Sequence, residues 1–263
     1  MAAQTKETMT EQTWAQQRRQ FDDMITLYGR KTTLEVLKDT DLKVFRLHLA
    51  TSNKSSSVIS EIKHLAAARN IELRMHSKHN LSHISKNSRQ DQGVAIDLVA
   101  PHYHDLEQLI TSEPKPGAEF IMIDRVTNPQ NLGMIIRSVA ASPMAGLILP
   151  SQGCAAIDPL VYKASAGCLL KTTIYRCLTS LDGALALQRK GYQLIGLSSD
   201  GELRLADLNN DTPKILILGN ETEGLATELR RACDHLLGIP MANAVDSLNV
   251  AVTAGIISFH GSL

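Results

Sequence analysis

The stretch I-L-I-L-G-N-E-T-E-G-L, residues 215–225, reads as a strand without a polar face that stops at Gly219 and becomes a loop carrying Glu221 and Glu223 between two glycines. A strand that is apolar on both sides must be covered on both, as in a parallel sheet between layers of helices. Residues 120–123, 147–149, 194–197 and 236–239 repeat the pattern, with helical segments between them. The expected class is therefore α/β with a parallel sheet. Ligands of such sheets bind beyond the carboxyl ends of the strands, where glycines let backbone amides approach them closely. No strand is followed by G-x-G-x-x-G, and no G-x-x-x-x-G-K-[ST] occurs, so any ligand here needs another cradle.

Two other strand ends are polar. After 120–123 comes D-R-V-T-N-P-Q-N-L-G-M-I-I-R-S-V-A-A, residues 124–141. Asn128-Pro129 favours a turn, Asn131 is the expected N-cap, and Gly133 allows close packing as the helix begins. Arg137 falls one turn beyond Gly133 among Ile135, Ile136, Val139 and Ala140, and is expected to point into the cleft at the strand end. The third segment is I-P-M-A-N-A-V-D-S-L-N-V-A-V-T-A-G, residues 239–255. Pro240 ends the strand, Asp246 or Ser247 is expected to cap the next helix, and Asn249 to lie in its first turn. Helix N-termini offer unpaired N–H groups to anions and polar ligands. Taken singly, each segment also has a plain reading: a turn with exposed acids, a surface arginine, a capped helix.

At 263 residues the chain exceeds the roughly 100 to 150 of a typical domain, so two domains are expected. Hydrophobic residues make up 43% and charged residues 21%, and no apolar run approaches the roughly 20 residues that span a bilayer, which excludes a membrane role. The opening residues lack the apolar core of a signal peptide, so a cytoplasmic protein is expected. Cys154, Cys168, Cys177 and Cys233 are scattered with no C-x-x-C pair, which predicts reduced thiols and no metal. Lysine plus arginine total 27 and aspartate plus glutamate total 27, so global charge says nothing about nucleic acid. Local charge does: between Glu72 and Asp91 no acid intervenes, while Arg74, Lys78, Lys86 and Arg89 alternate with His76, His79 and His83. Such a stretch could neutralise phosphates, the alternative being a solvated loop.

Along the chain, residues 1–20 are expected to form a flexible arm. T-T-L-E-V-L-K-D (32–39) and residues 57–70 read as helices, and V-F-R-L-H-L-A (44–50) and G-V-A-I-D-L-V-A (93–100) as strands. A short helix at 106–110 leads into the Pro/Gly-rich linker at 111–117, which divides the chain into domains 21–112 and 113–263.

In order and spacing, N-x-G-x-x-x-R at 131–137, L-G-N-E-x-E-G at 218–224, and I-P-M at 239–241 followed by S-L-N-V at 247–250 resemble the three motifs of the TrmH/SpoU branch of SPOUT RNA ribose 2'-O-methyltransferases. A-S-A-G at 164–167 resembles a stretch between the first two, and the likeness covers 119–259. Y-G-R-K-T-T-L-E-V-L near Tyr28 and Q-G-V-A-I at Gln92 resemble, more weakly, an L30e-like substrate-binding domain. The resemblance implies a C-terminal domain tied in a deep trefoil knot whose loops hold S-adenosyl-L-methionine. The matching cofactor positions are Leu218, Gly219, Ile239, Met241, Ser247 and Leu248. The implied catalytic set is Asn131, Arg137, Glu221, Ser247 and Asn249, in a homodimer where Arg137 acts beside the partner's cofactor. RNA is the implied partner, ribosomal RNA ahead of transfer RNA, with Arg30, Arg74, Lys78, Lys86 and Arg89 as its contacts in the first domain. A guanidinium with a pKa above about 12 is a poor base, so electrostatic support is the role expected of Arg137. A catalytically silent RNA-binding protein of the same fold is the alternative. Four positions depart from the family: Asn243 and Thr222 stand where glycine is common, Ala251 where serine is, and His260 where an acid follows the aromatic residue.

Overall fold

Each of the five apolar runs forms a strand of one sheet in the structure, a computed structural model that describes residues 24–260 except 101, 210 and 244. The expected arm at 1–20 lies outside the described residues. The chain divides into two compact units, 1–103 and 104–263.

The first unit runs β1 (Met24–Tyr28), α1 (Arg30–Lys38), β2 (Val44–Ala50), α2 (Ser57–Ala68), β3 (Glu72–His76), α3 (Lys78–Ser85) and β4 (Val94–Val99). Its sheet has the order β1-β4-β2-β3, antiparallel at β1/β4 and β4/β2 and parallel at β2/β3. Across the inner strands a partly buried relay joins Thr26 Oγ1, which donates to Asp97 at 2.7 Å, His48 Nε2, 2.8 Å from Asp97, and His76 Nε2, 2.9 Å from His48 Nδ1. The basic stretch after Glu72 is a strand and a helix as far as Ser85, with Lys86 and Arg89 in the turn that follows. β3 gives no core signal because Glu72, Leu73, Arg74 and Met75 are all exposed at the sheet edge.

The second unit comprises β5 (Tyr103–Asp105), α4 (Leu106–Thr111), β6 (Glu119–Ile123), α5 (Pro129–Ala141), β7 (Gly146–Pro150), α6 (Pro159–Ala164), β8 (Ile174–Cys177), α7 (Ser180–Arg189), β9 (Gln193–Leu197), β10 (Lys214–Leu218), α8 (Thr227–Ala232), β11 (His235–Leu237) and α9 (Val250–Ser258). The sheet order is β11-β9-β10-β6-β7-β8-β5, and all pairings from β11 through β8 are parallel. From adjacent β6 and β10 the chain leaves in opposite directions, which makes the kind of switch point where α/β sheets bind ligands. The division between units precedes the Pro/Gly-rich stretch because Leu106 and Leu109 of α4 are buried with Phe120, Met122 and Leu187 in the second core.

At the amino end of the sheet, Lys214 of β10 is fully buried and pairs with Glu119 of β6 at 2.6 Å. His260, just past α9, reaches the other oxygen of Glu119 at 2.8 Å.

Two helix starts differ from expectation. Asn128, not Asn131, caps α5: its side chain accepts from Gln130 N at 2.9 Å and Pro129 occupies the first helical position, where its missing N–H is harmless. Asn131 is therefore buried inside the first turn. Likewise Asn249, not Asp246 or Ser247, caps α9 by accepting from Ala251 N at 2.9 Å.

Candidate active site

Those two shifts bring the three polar segments together. With its cap duty taken by Asn128, the Asn131 carboxamide is free to face the carboxyl ends of the strands. Its Nδ2 donates to Glu221 in the loop after β10, and its Oδ1 accepts from Asn249 Nδ2 at 3.2 Å. One buried amide thus links α5, the β10 loop and the start of α9.

The loop after β10 is shaped by its own backbone. Asn220 and Gly224 exchange N–H···O bonds at 2.9 and 3.0 Å, and Asn220 Oδ1 accepts from the N–H groups of Thr222 and Glu223. A Cβ on Gly219 would sit 2.3 Å from the Gly224 carbonyl carbon, so only glycine fits there. The two acids separate: Glu221 meets Asn131, while Glu223, mostly exposed, pairs with Arg125. Asp124, 2% exposed, fastens the loop from below. Its Oδ1 accepts from Ser180 Oγ at 2.6 Å, and its Oδ2 from Ala226 N at 2.8 Å and Arg125 Nε at 3.3 Å. Burial works to lower the Arg125 guanidinium, but the bonds and charges of Asp124 and Glu223 hold it above its ordinary value. Asp124, Arg125 and Asn220 escaped sequence reasoning because each also ties together segments distant in the chain, through Ala226 N, Gly224 O and Arg125 O respectively.

Gly133 has a plain cause. A Cβ there would lie 2.5 Å from Ala164 Cβ and 2.7 Å from Val161 O, so α5 approaches α6 with no room for a side chain. Ala164 and Ser165 of A-S-A-G provide the opposing surface, and buried Ser165 is satisfied by Tyr162 O and Leu169 N.

Beyond the ends of β9, β10 and β11 opens a cleft of about 570 Å³. Leu218, Gly219, Ile239, Met241, Ser247 and Leu248 all line it, as does Glu221, together with Arg230 and Thr253, which sequence reading did not single out. Asn243 adopts φ 56°, the left-handed conformation that asparagine tolerates better than most residues with a side chain. Arg137 stands elsewhere. It is exposed on α5, does not line the cleft, and has no hydrogen bond or ion pair among the described residues. Being one turn beyond Gly133 does not turn it inward, since the buried stripe of α5 is filled by Leu132, Ile135, Ile136 and Val139.

The cleft fits S-adenosylmethionine. Its volume lies within the roughly 300 to 1,000 Å³ of small-molecule sites, Leu218, Ile239 and Leu248 offer apolar walls, and Gly219 lets the loop backbone itself line the cleft. None of the four cysteines lines the cleft; all are free, and burial pushes Cys177 up to about 12 and Cys233 up to about 11. Among the described residues no cluster of three metal-ligating side chains occurs and no helix is long and apolar enough to cross a membrane.

In the first unit the basic residues separate into two groups. Arg30, Lys78 and Arg89 line a common cleft, whereas Arg74 is paired with Glu72 at 2.7 Å and Lys86 stands at φ 53° beyond α3, outside that cleft.

The SpoU rRNA methylase family model matches residues 119–259, and a model described as RNA 2'-O ribose methyltransferase substrate binding matches 26–104. An uncharacterized tRNA/rRNA methyltransferase of Mycobacterium leprae (strain TN) is 31% identical over 238 residues, 90% of this chain and 76% of the relative. Among solved structures, the AdoMet-bound rRNA methyltransferase from Sinorhizobium meliloti is 25% identical with a TM-score of 0.63, covering 93% of this chain and 89% of that one. The SpoU methyltransferase AviRb from Streptomyces viridochromogenes, in complex with AdoMet, shares the fold at 24% identity and a TM-score of 0.64, covering 93% and 91%. The chain belongs to the SpoU rRNA methylase family and is an S-adenosylmethionine-dependent RNA methyltransferase.

Proposed function

We propose that this cytoplasmic enzyme methylates a ribose 2'-hydroxyl in structured RNA, with ribosomal RNA its substrate ahead of transfer RNA. The observation that carries the proposal is the Asn131 amide, which joins Glu221 and Asn249 at the rim of the cleft. The family description and the S. meliloti neighbour favour ribosomal RNA.

When bound, S-adenosylmethionine supplies an electrophilic methyl group. Leu218, Gly219, Ile239, Met241, Ser247 and Leu248 would hold it. Asn131 and Glu221 keep the β10 loop and α9 in register, and Ser247 and Asn249 orient the ribose. Such positioning can contribute roughly 7 to 11 kcal/mol through effective molarity. Arg137 stabilises negative charge developing on the ribose oxygen or holds the neighbouring phosphate.

Since Arg137 does not line the cleft of its own chain, the proposal places it beside the cleft of a second copy. In support, α5 and α9 pack together and expose Met134, Val252 and Ile256, an apolar surface suited to a dimer. The knot implied by family resemblance belongs to the same proposal. In its favour, Ser198 N donates to Leu237 O and Gly238 N to Leu203 O, so the chain leaving β11 runs against the loop after β9.

Calorimetry with S-adenosylmethionine separates the enzyme from a silent RNA-binding protein, which would show no binding. Mapping 2'-O-methyl groups in total RNA from a deletion strain tests the substrate: a site lost from ribosomal RNA is expected, and loss confined to transfer RNA would reverse the order.

A further inference from the structure

The cleft in the first unit is built around a fixed arginine. Arg30 Nη2 donates to Asn53 Oδ1 at 3.0 Å and its Nε to Gln92 O at 3.3 Å, while Asn53 Nδ2 donates to Gly93 O at 2.6 Å. Two of the five N–H donors of the guanidinium are thereby used to hold it, leaving three. Lys78 and Arg89 line the same cleft with no ion-pair partner among the described residues. The one carboxylate in the lining, Asp91, is 2% exposed and already accepts from Ser85 Oγ and Gly93 N, each at 2.9 Å. Three cations thus face a single carboxylate, and the cleft keeps a net positive charge.

Backbone dipoles add to it. Arg30 is the first residue of α1 and Lys78 the first of α3, so two helix amino ends converge on the cleft. α1 begins at Gly29 with no side-chain cap. Positive helix ends and uncompensated cations both favour an anion, and a volume of about 510 Å³ leaves room for the nucleotide attached to it.

We propose that Arg30, Lys78 and Arg89 together seat a single backbone phosphate of the RNA substrate, fixing the RNA to the first unit at one point. The inference rests on the RNA reading above and adds to it a discrete seat. A phosphate shared by three cations has a signature that separate surface contacts lack. Removing one seated phosphate lowers the salt dependence of binding by about 0.7 to 0.9 however many of its cations are removed.

The test measures binding of the full chain to deproteinised ribosomal RNA across a potassium chloride series for wild type, Arg89→Gln, the double variant Lys78→Gln/Arg89→Gln, and Lys63→Gln. Lys63 is an exposed lysine of α2 outside the cleft. The seat predicts a loss of affinity on the order of tenfold for the double variant, as for a charge-assisted contact. Its salt slope should fall by no more than one phosphate's share, about 0.9, although two cations are gone, with Lys63→Gln within twofold of wild type. A fall of about 1.4 or more in the double variant, as for one phosphate per cation, or equal loss in Lys63→Gln, overturns the seat in favour of a diffuse field. Unchanged RNA affinity in the double variant also overturns it; if inorganic phosphate then binds wild type but not this variant, the cleft serves a free phosphate instead. A wild-type chain with no affinity for the RNA overturns both the seat and the RNA reading.

Discussion

Asn131 shows how one side chain can define a site. Both ends of its amide are used, toward Glu221 and toward Asn249, and it is buried, so truncation would leave two groups without their partner. Gly133, two residues on, does a purely steric job. Gly133→Ala is expected to lower stability by about 1 to 3 kcal/mol in urea unfolding, because Val161 O and Ala164 lie within 3 Å of the added carbon. Arg137 is the opposite case, an exposed charge with no hydrogen bond or ion pair among the described residues. Arg137→Ala should therefore fold normally and bind S-adenosylmethionine as wild type does, yet lose about a hundredfold or more in kcat. Arg137→Lys keeps the charge and loses the fork. Wild-type methyl transfer by that variant, with cofactor affinity unchanged, would remove the role proposed here.

At the scale of elements, β6 and β10 carry polar groups at both ends. Their carboxyl ends form the candidate site, and their amino ends hold the Lys214–Glu119 pair with His260 against it. Removing one partner of a buried pair leaves an uncompensated charge, so Glu119→Ala should cost about 3 to 5 kcal/mol, read by denaturant unfolding. The effect should fall on stability, since the pair lies at the end of the sheet remote from the cleft. Elements also show where sequence reading succeeds and where it stops. The five apolar strands were legible because burial on both faces leaves no choice of residue type. β3 and β8 were not, since β3 is exposed along the sheet edge and Ile174–Cys177 is only half-buried after its first residue. The helix starts slipped by a few residues because several residues able to cap compete, Asn128 with Asn131 at α5 and Asp246 and Ser247 with Asn249 at α9. Which one wins depends on Pro129 at α5 and on the reach of Asn249 to Asn131 at α9.

For the whole molecule, the six expected cofactor-side residues line one cleft, and three of the five expected RNA contacts line another. What spacing alone could not supply was the orientation of Arg137 and the loop supports at Asp124 and Asn220, which depend on contacts between distant segments. Global stability should also carry a signature of buried thiols. Burial raises Cys177 from 9.0 to about 12 and Cys233 from 9.0 to about 11. In each case the folded state holds its proton more tightly than the unfolded one, so this stability is complete below about pH 9 and is lost as pH climbs toward 11 and 12. Thermal unfolding should show that loss, and a Cys177→Ser/Cys233→Ser variant should show less of it.

The most direct test of the central claim is nucleoside mass spectrometry of ribosomal RNA incubated with the full chain and S-adenosylmethionine carrying a deuterated methyl group. The account predicts label in a 2'-O-methylnucleoside with wild type and its absence with Asn131→Ala. Label in a base-methylated nucleoside, or undiminished ribose labelling by Asn131→Ala, would contradict it.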